Sequence, residues 1–307
     1  MAVVEAVELT KRFGTITAVS GVSFQVHEGE VLALLGPNGA GKTTTVRCLA
    51  AILQPTAGHV RVAGYDTRVA PRQVRRLVGL LTEFPGLYGR MKPMEYLDFF
   101  GAMHGLDGQT RRQRAEALLK QFGLWHARDR RLGQFSKGMR QKMALVRALI
   151  HAPRVLFLDE PTAALDPEGA YQVRQAIADL RRQGHTILLC THNLVEAETL
   201  ADRLLIIHEG RIVARGTVEE LKEQVLGPPV FRVRLADRLD GALDAVREVV
   251  EPLDWDADGF RYRTTAPEQT NPAVLARLHA TGVRVISLEP EPRRLEDVYL
   301  HLMGAVS

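Results

Sequence analysis

An apolar run at residues 30–35 leads into Gly36, Pro37, Asn38, Gly39, Ala40, Gly41, Lys42 and Thr43, and Thr44 then opens a helical pattern reaching about residue 52. That order of glycine, four residues, glycine, lysine and threonine admits few folds. The three glycines let the backbone turn tightly and aim successive N–H groups inward, and the helix adds the positive end of its dipole. Such a cradle takes a phosphate, brings Lys42 to the β- and γ-phosphates and offers the Thr43 hydroxyl to Mg²⁺. An incidental glycine-rich turn would need neither the strand before it nor the helix after it. The fold is therefore expected to be α/β, with the loop at the carboxyl end of a buried parallel strand.

Two more apolar runs end in chemistry-bearing residues. Residues 155–158 deliver Asp159 and Glu160, and residues 187–190 deliver Thr191, His192 and Asn193. Asp159 suits Mg²⁺ coordination through water. Glu160 is expected to point the other way, as strand neighbours do, and to polarise an attacking water. His192 suits contact with the γ-phosphate or the holding of Glu160. An apolar run ending in two acids is a weak signal by itself and becomes a strong one behind a complete phosphate loop.

Composition narrows the class. The chain has 307 residues, 46% of them hydrophobic and 25% charged, with a net charge of +4. A normal core is available, and so slight a basic excess selects no partner. Only Cys48 and Cys190 occur, each inside an apolar stretch, which excludes a disulfide framework and a zinc pattern. The first ten residues carry two glutamates and no basic apolar leader, and no apolar run approaches the roughly 18 residues of a membrane span. Strands are expected at residues 3–9, 22–26, 30–35, 154–158 and 186–190, and a hairpin from 204–208 to 211–214, with residues 94–182 mostly helical. Gly227, Pro228 and Pro229 mark a boundary, giving domains at 1–227 and 228–307. Beyond it, segments at 230–235, 242–250, 260–264, 272–279 and 283–288 suggest a small α+β unit of ferredoxin-like order. Leu295, Val298, Tyr299 and Leu302 read as a helical packing stripe.

The stretch Phe135, Ser136, Lys137, Gly138, Met139, Arg140, Gln141, Lys142 narrows the field further. It resembles the signature motif of ABC-type ATPases, and the resemblance covers about residues 3–220. Ser136 can cap a helix while its hydroxyl and the Gly138 N–H grip a phosphate from outside. In that family the phosphate belongs to ATP held by a second copy, so the resemblance implies a homodimer closed around two ATP. It also implies that Phe13 stacks on adenine and that residues 163–166 cross the dimer seam. The sequence departs from the pattern at Phe135, Lys137 and Met139, where Leu, Gly and Gln are commonest. It departs again at Glu83, where a glutamine normally senses Mg²⁺ and the membrane partner. A carboxylate there can still serve the metal, at the cost of repulsion toward the γ-phosphate.

The Thr82–Tyr88 stretch, the Ser-Lys-Gly-Met signature and the ending Arg294, Leu295, Glu296, Asp297, Val298, Tyr299, Leu300 resemble ATP-binding subunits of bacterial drug-resistance exporters, of the daunorubicin type. That likeness implies a separate transmembrane permease, with the aromatic segment 84–100 beside it, and a peripheral position on the cytoplasmic side of the membrane. Ribosome factors of the family carry two cassettes, and its DNA-repair members place a long coiled coil between phosphate loop and signature. Neither feature is present, and no basic run or aromatic platform suggests a nucleic-acid partner. Sugar importers append a longer regulatory domain, unlike this tail.

Overall fold

The computed structural model describes residues 1–236 and 242–306. The chain divides into two compact units, Met1–Thr217 and Val218–Ser307.

In the first unit, β1 (Ala2–Phe13), β2 (Ile16–His27), β4 (Ala57–Val62) and β5 (Tyr65–Asp66) form an antiparallel sheet in the order β2-β1-β4-β5. The second sheet has the order β10-β9-β3-β8-β7-β6, built from β3 (Val31–Leu35), β6 (Val78–Leu81), β7 (Val155–Asp159), β8 (Thr186–Thr191), β9 (Arg203–His208) and β10 (Arg211–Gly216). All its pairings are parallel except the β9–β10 hairpin. Every residue of β3, β7 and β8 is buried, as a sheet covered on both faces demands. The antiparallel sheet packs into one core with α1 (Lys42–Leu49) and side chains of β3, β7 and β8, including Leu32, Leu34, Phe157 and Leu188. Short strands 57–62, 65–66 and 78–81 join those expected from the sequence. Around them run α2 (Pro71–Leu77), α3 (Pro93–Met103), α4 (Gly108–Gln121), α5 (Lys137–Leu149), α6 (Pro167–Arg182) and α7 (Leu194–Leu200).

Two glycines of the phosphate loop are there for space. A Cβ on Gly36 would lie 2.3 Å from the Ile207 carbonyl, and one on Gly41 would lie 2.4 Å from that of Ala18. Gly41 also has φ 105°, a backbone conformation that side chains resist. The loop is thus pressed against β9 and β2, which fixes the direction in which its N–H groups face.

The second unit contains α8 (Val218–Leu226), β11 (Val230–Leu235), α9 (Ala242–Val246), β12 (Pro252–Asp256), β13 (Gly259–Arg263), α10 (Pro267–Ala280), β14 (Val285–Pro290) and α11 (Leu295–Val306). Its antiparallel sheet runs β12-β13-β11-β14. Strand, helix, two strands, helix, strand with that order is ferredoxin-like. Phe231, Val233, Phe260, Tyr262, Val274 and Leu278 form its core. The division falls at Val218, before Gly227, because α8 packs on α11 and Arg293 donates to the carbonyls of Lys222 and Gly227. Leu295 and Val298, of the expected stripe, are fully buried on α11.

Candidate functional site

β3, β8 and β7 lie side by side and parallel, and their carboxyl ends face the loop before α1. A cleft of about 300 Å³ opens there, lined by Pro37, Asn38, Gly39, Gly41, Lys42, Thr43, Thr44, Glu83, Glu160, Ala163 and His192. Gly36 and Ala40 are buried in the loop itself; the Gly36 carbonyl accepts from Lys42 Nζ at 2.7 Å and the Pro37 carbonyl at 3.1 Å. These bonds hold the ammonium at the mouth of the loop.

Lys42 and Glu160 form a buried ion pair, with Nζ 3.1 Å from Oε1, though at an angle that leaves Oε1 without a hydrogen bond. Glu160 Oε2 lies 2.8 Å from His192 Nδ1 and accepts from the His192 N–H at 3.4 Å. The expected strand alternation does not place Glu160. β7 ends at Asp159, and Glu160 takes φ 50°, a left-handed conformation that costs a non-glycine residue energy. Its N–H donates to the Cys190 carbonyl at 2.8 Å, so β8 pins the turn. The turn carries the carboxylate toward Lys42 and His192.

Asp159 is buried and its Oδ1 has no hydrogen-bond partner. Burial pushes its pKa up, the Thr43 hydroxyl and Lys42 oppose this, and Glu160 and Glu83 add to it. An orphaned carboxylate oxygen beside a threonine hydroxyl and two further acids fits a divalent cation. Among the described residues no three His, Cys, Asp or Glu side chains are arranged to hold a metal by themselves. The Thr43 hydroxyl and the orphaned Asp159 oxygen fit a cation that takes its remaining ligands from phosphate and water, as Mg²⁺ usually does.

Three expected residues lie elsewhere. Phe13, at the end of β1, is 47% exposed, with Lys11 Nζ 5.0 Å from its ring centroid. Ser136 and Gly138 line a separate pocket of about 440 Å³ with Asp166, Gly169 and Gln172. Ser136 is the N-cap of α5 and accepts from the Met139 N–H at 3.2 Å. A third cavity, about 490 Å³, lies between the segment Glu83, Phe84, Pro85, Gly86, Leu87 and the residues Lys137, Arg140 and Gln141. Phe84 beside it is 79% exposed, whereas Tyr88, Tyr96, Phe99 and Phe100 pack on one another. The aromatic segment is therefore partly core and partly surface. Arg147 of α5 donates to the Pro85 carbonyl and the Tyr96 hydroxyl, fixing that segment.

Sequence reasoning passed over Glu196, which is fully buried and accepts from Thr191 Oγ1 at 2.5 Å. The run Asn193, Leu194, Val195, Glu196 reads as an ordinary helix cap, and only burial marks it out.

Among the described residues no helix is long and apolar enough to cross a membrane. Residues 19–163 match the ABC transporter family, and residues 216–303 match the C-terminal domain of DrrA1-3-like ATP-binding proteins. The chain is 38% identical over 306 residues to the daunorubicin/doxorubicin resistance ATP-binding protein DrrA of Streptomyces peucetius, covering 98% of this chain and 92% of that one. It is 43% identical over 209 residues to the ABC transporter ATP-binding protein NatA of Bacillus subtilis, covering 68% and 85%. A solved ATP-binding subunit of an ABC transporter superposes with a TM-score of 0.66 at 32% identity, over 73% of this chain and 94% of that one. A dimeric ATP-binding cassette in a post-hydrolysis state, bound to ADP and Pi, does so with a TM-score of 0.63 at 25% identity, over 70% and 98%. The chain belongs to the ATP-binding proteins of ABC transporters, in the branch represented by the daunorubicin-resistance ATP-binding proteins.

Proposed function

We propose that this chain hydrolyses ATP to ADP and phosphate as one half of a homodimeric motor, which drives export of a drug-like or lipid-like substrate through a separate transmembrane permease. The observation that carries the reading is the Glu160 carboxylate, buried between Lys42 and His192 at the mouth of the phosphate loop. The N–H groups of Gly39, Gly41, Lys42, Thr43 and Thr44 hold the β- and γ-phosphates, and Lys42 leaves its carbonyl partners to neutralise them. Phe13 stacks on the adenine. Mg²⁺ would be held by the Thr43 hydroxyl and Glu83 and, through water, by Asp159, and would supply neutralising charge beside the phosphates. Glu160 accepts the proton of the attacking water, and His192 fixes its carboxylate and contacts the γ-phosphate.

Ser136 and Gly138 act on the ATP of the second copy. Their separation from the Lys42 cleft within one chain supports that reading, as does the likeness to dimeric cassettes. ATP buried at such a seam stabilises the dimer and its loss loosens it. The cavity beside exposed Phe84 is then the docking place of the permease on the cytoplasmic side of the membrane. Relatives named for drug resistance and for Nod factor export favour the outward direction.

Glu160→Gln tests the assignment, because it keeps the shape and removes the base. Turnover is expected to fall by about 10²–10⁴-fold with ATP still bound, and dimer to accumulate on a sizing column. Hydrolysis at the wild-type rate would remove Glu160 from the mechanism.

A further inference from the structure

We propose that Glu196 is a positioning residue for ATP hydrolysis, holding the end of β8 that carries His192 and pins the turn at Glu160. The inference rests on the function proposed above and adds to it a residue outside the phosphate cleft. Glu196 lies on α7 with no solvent exposure. As the third residue after the Asn193 N-cap, it would ordinarily reach back to the Asn193 N–H and remain at the surface. Here it does not. The Asn193 N–H donates to Thr191 Oγ1 at 3.0 Å, and that hydroxyl spends its one proton on Glu196 Oε2 at 2.5 Å. The Glu196 N–H donates in turn to Asn193 Oδ1 at 3.2 Å. Thr191, His192 and Asn193 are thus locked in a closed set of bonds around the residue that touches Glu160.

The carboxylate also faces the other side of the site. Thr162, two residues beyond Glu160, is buried beside it, and its hydroxyl favours the charged form of Glu196. Oε1 is buried without a full hydrogen bond. Burial raises the pKa to about 7, with Glu160 adding to the rise and Thr191, Thr162 and Arg174 opposing it. A fully buried acid left in this condition is costly, and an apolar side chain would fill the space without that penalty. What the acid provides is a tie between α7 and the end of β8, the strand that carries His192 and whose Cys190 carbonyl pins Glu160.

The test is steady-state ATPase activity of the full chain with ATP affinity measured alongside. Glu196→Ala is expected to lower kcat about tenfold or more, the scale of a small misplacement of a catalytic group. KM and ATP affinity should stay within about twofold, since the phosphate loop is untouched. Glu196→Gln, whose amide oxygen still accepts from Thr191, should recover most of the loss. Thr191→Val should reproduce the loss, and the Glu196→Ala/Thr191→Val pair should add little to either single change, because both cut one connection. Wild-type kcat in Glu196→Ala, a glutamine variant as slow as the alanine one, or full additivity in the pair would each overturn the proposal. If the alanine variant fails to fold, Thr191→Val and Glu196→Gln decide it by the same criteria. A wild-type chain that binds but does not hydrolyse ATP would instead sink the function on which the proposal rests.

Discussion

The two units of this chain treat charge in opposite ways. In Met1–Thr217, Lys42 and Glu160 line the phosphate cleft, Asp159 and Glu196 are buried outside it, and a carboxylate oxygen of each of the three acids lacks a full hydrogen bond. In Val218–Ser307 the core among the described residues is apolar and aromatic, and the charges are paired on the open face of the sheet. Arg232 pairs with Asp256, and Arg261 with both Asp254 and Glu291. Buried charge without full partners is unstable in isolation and is kept where a ligand or reaction uses it. Surface charge that satisfies itself keeps a sheet soluble and asks for nothing. The residues of the proposed chemistry thus lie in the first unit, while the second has an ordinary apolar core.

If that division of labour is right, damage to the second core should leave nucleotide binding alone. Phe260→Ala removes a fully buried ring at the centre of the ferredoxin-like sheet. It should destabilise that unit by about 3–5 kcal/mol. Denaturant melts followed by Trp255 fluorescence should show the loss, while ATP affinity stays within about twofold. A matching loss of ATP affinity would break the comparison.

Glu196 sharpens it from the other side. Its folded-state pKa, raised to about 7 by burial, lies above the ordinary value of 4.5. The native state therefore holds a proton that the unfolded chain releases, and the associated stability is complete below pH 4.5 and lost as pH rises through about 7. Glu196→Gln removes this dependence. Relative to wild type it should gain up to roughly 3 kcal/mol between pH 4.5 and 8, read from paired urea titrations. A pH-independent difference would mean that the acid is not buried in a strained state. Paired with the kinetic prediction, this separates the hydrogen bond to Thr191, which glutamine keeps, from the ionisable charge, which glutamine removes.

Much of this was visible in the chain alone, for physical reasons that also mark the boundary. Strands buried on both faces must be continuous apolar runs, so the runs at 30–35, 154–158 and 186–190 are legible and fall within a residue of the observed strands at each end, as are the glycines that bring the phosphate loop against β9 and β2. Strand β12 did not. Its residues Pro252, Leu253, Asp254, Trp255 and Asp256 include a proline and two acids of poor strand propensity, tolerable because β12 is an edge. The turn at Glu160 was hidden too, since a left-handed glutamate is imposed by the bond to Cys190 and by nothing local. Glu196 carries the most local of signals, a helix cap, and reveals itself only through the burial that the packing of α7 on β3, β8 and α6 creates. The domain boundary was drawn at the prolines, which stiffen a linker, while α8 before them packs on α11.

The smallest effect is expected on the open sheet face. Arg261 reaches Asp254 on β12 and Glu291 beyond β14, so it spans the sheet and looks structural. Its side chain is 36% exposed and those of its two partners 49% and 34%, where water and salt screen the attraction. Arg261→Ala should shift Tm by no more than a few degrees, less still at 1 M salt, with ATPase activity unchanged. A large loss of ATPase activity with Tm unmoved would mean that the paired charges of this face are engaged by the motor cycle, and the contrast between a reactive unit and a self-satisfied one would have to be redrawn around Arg261.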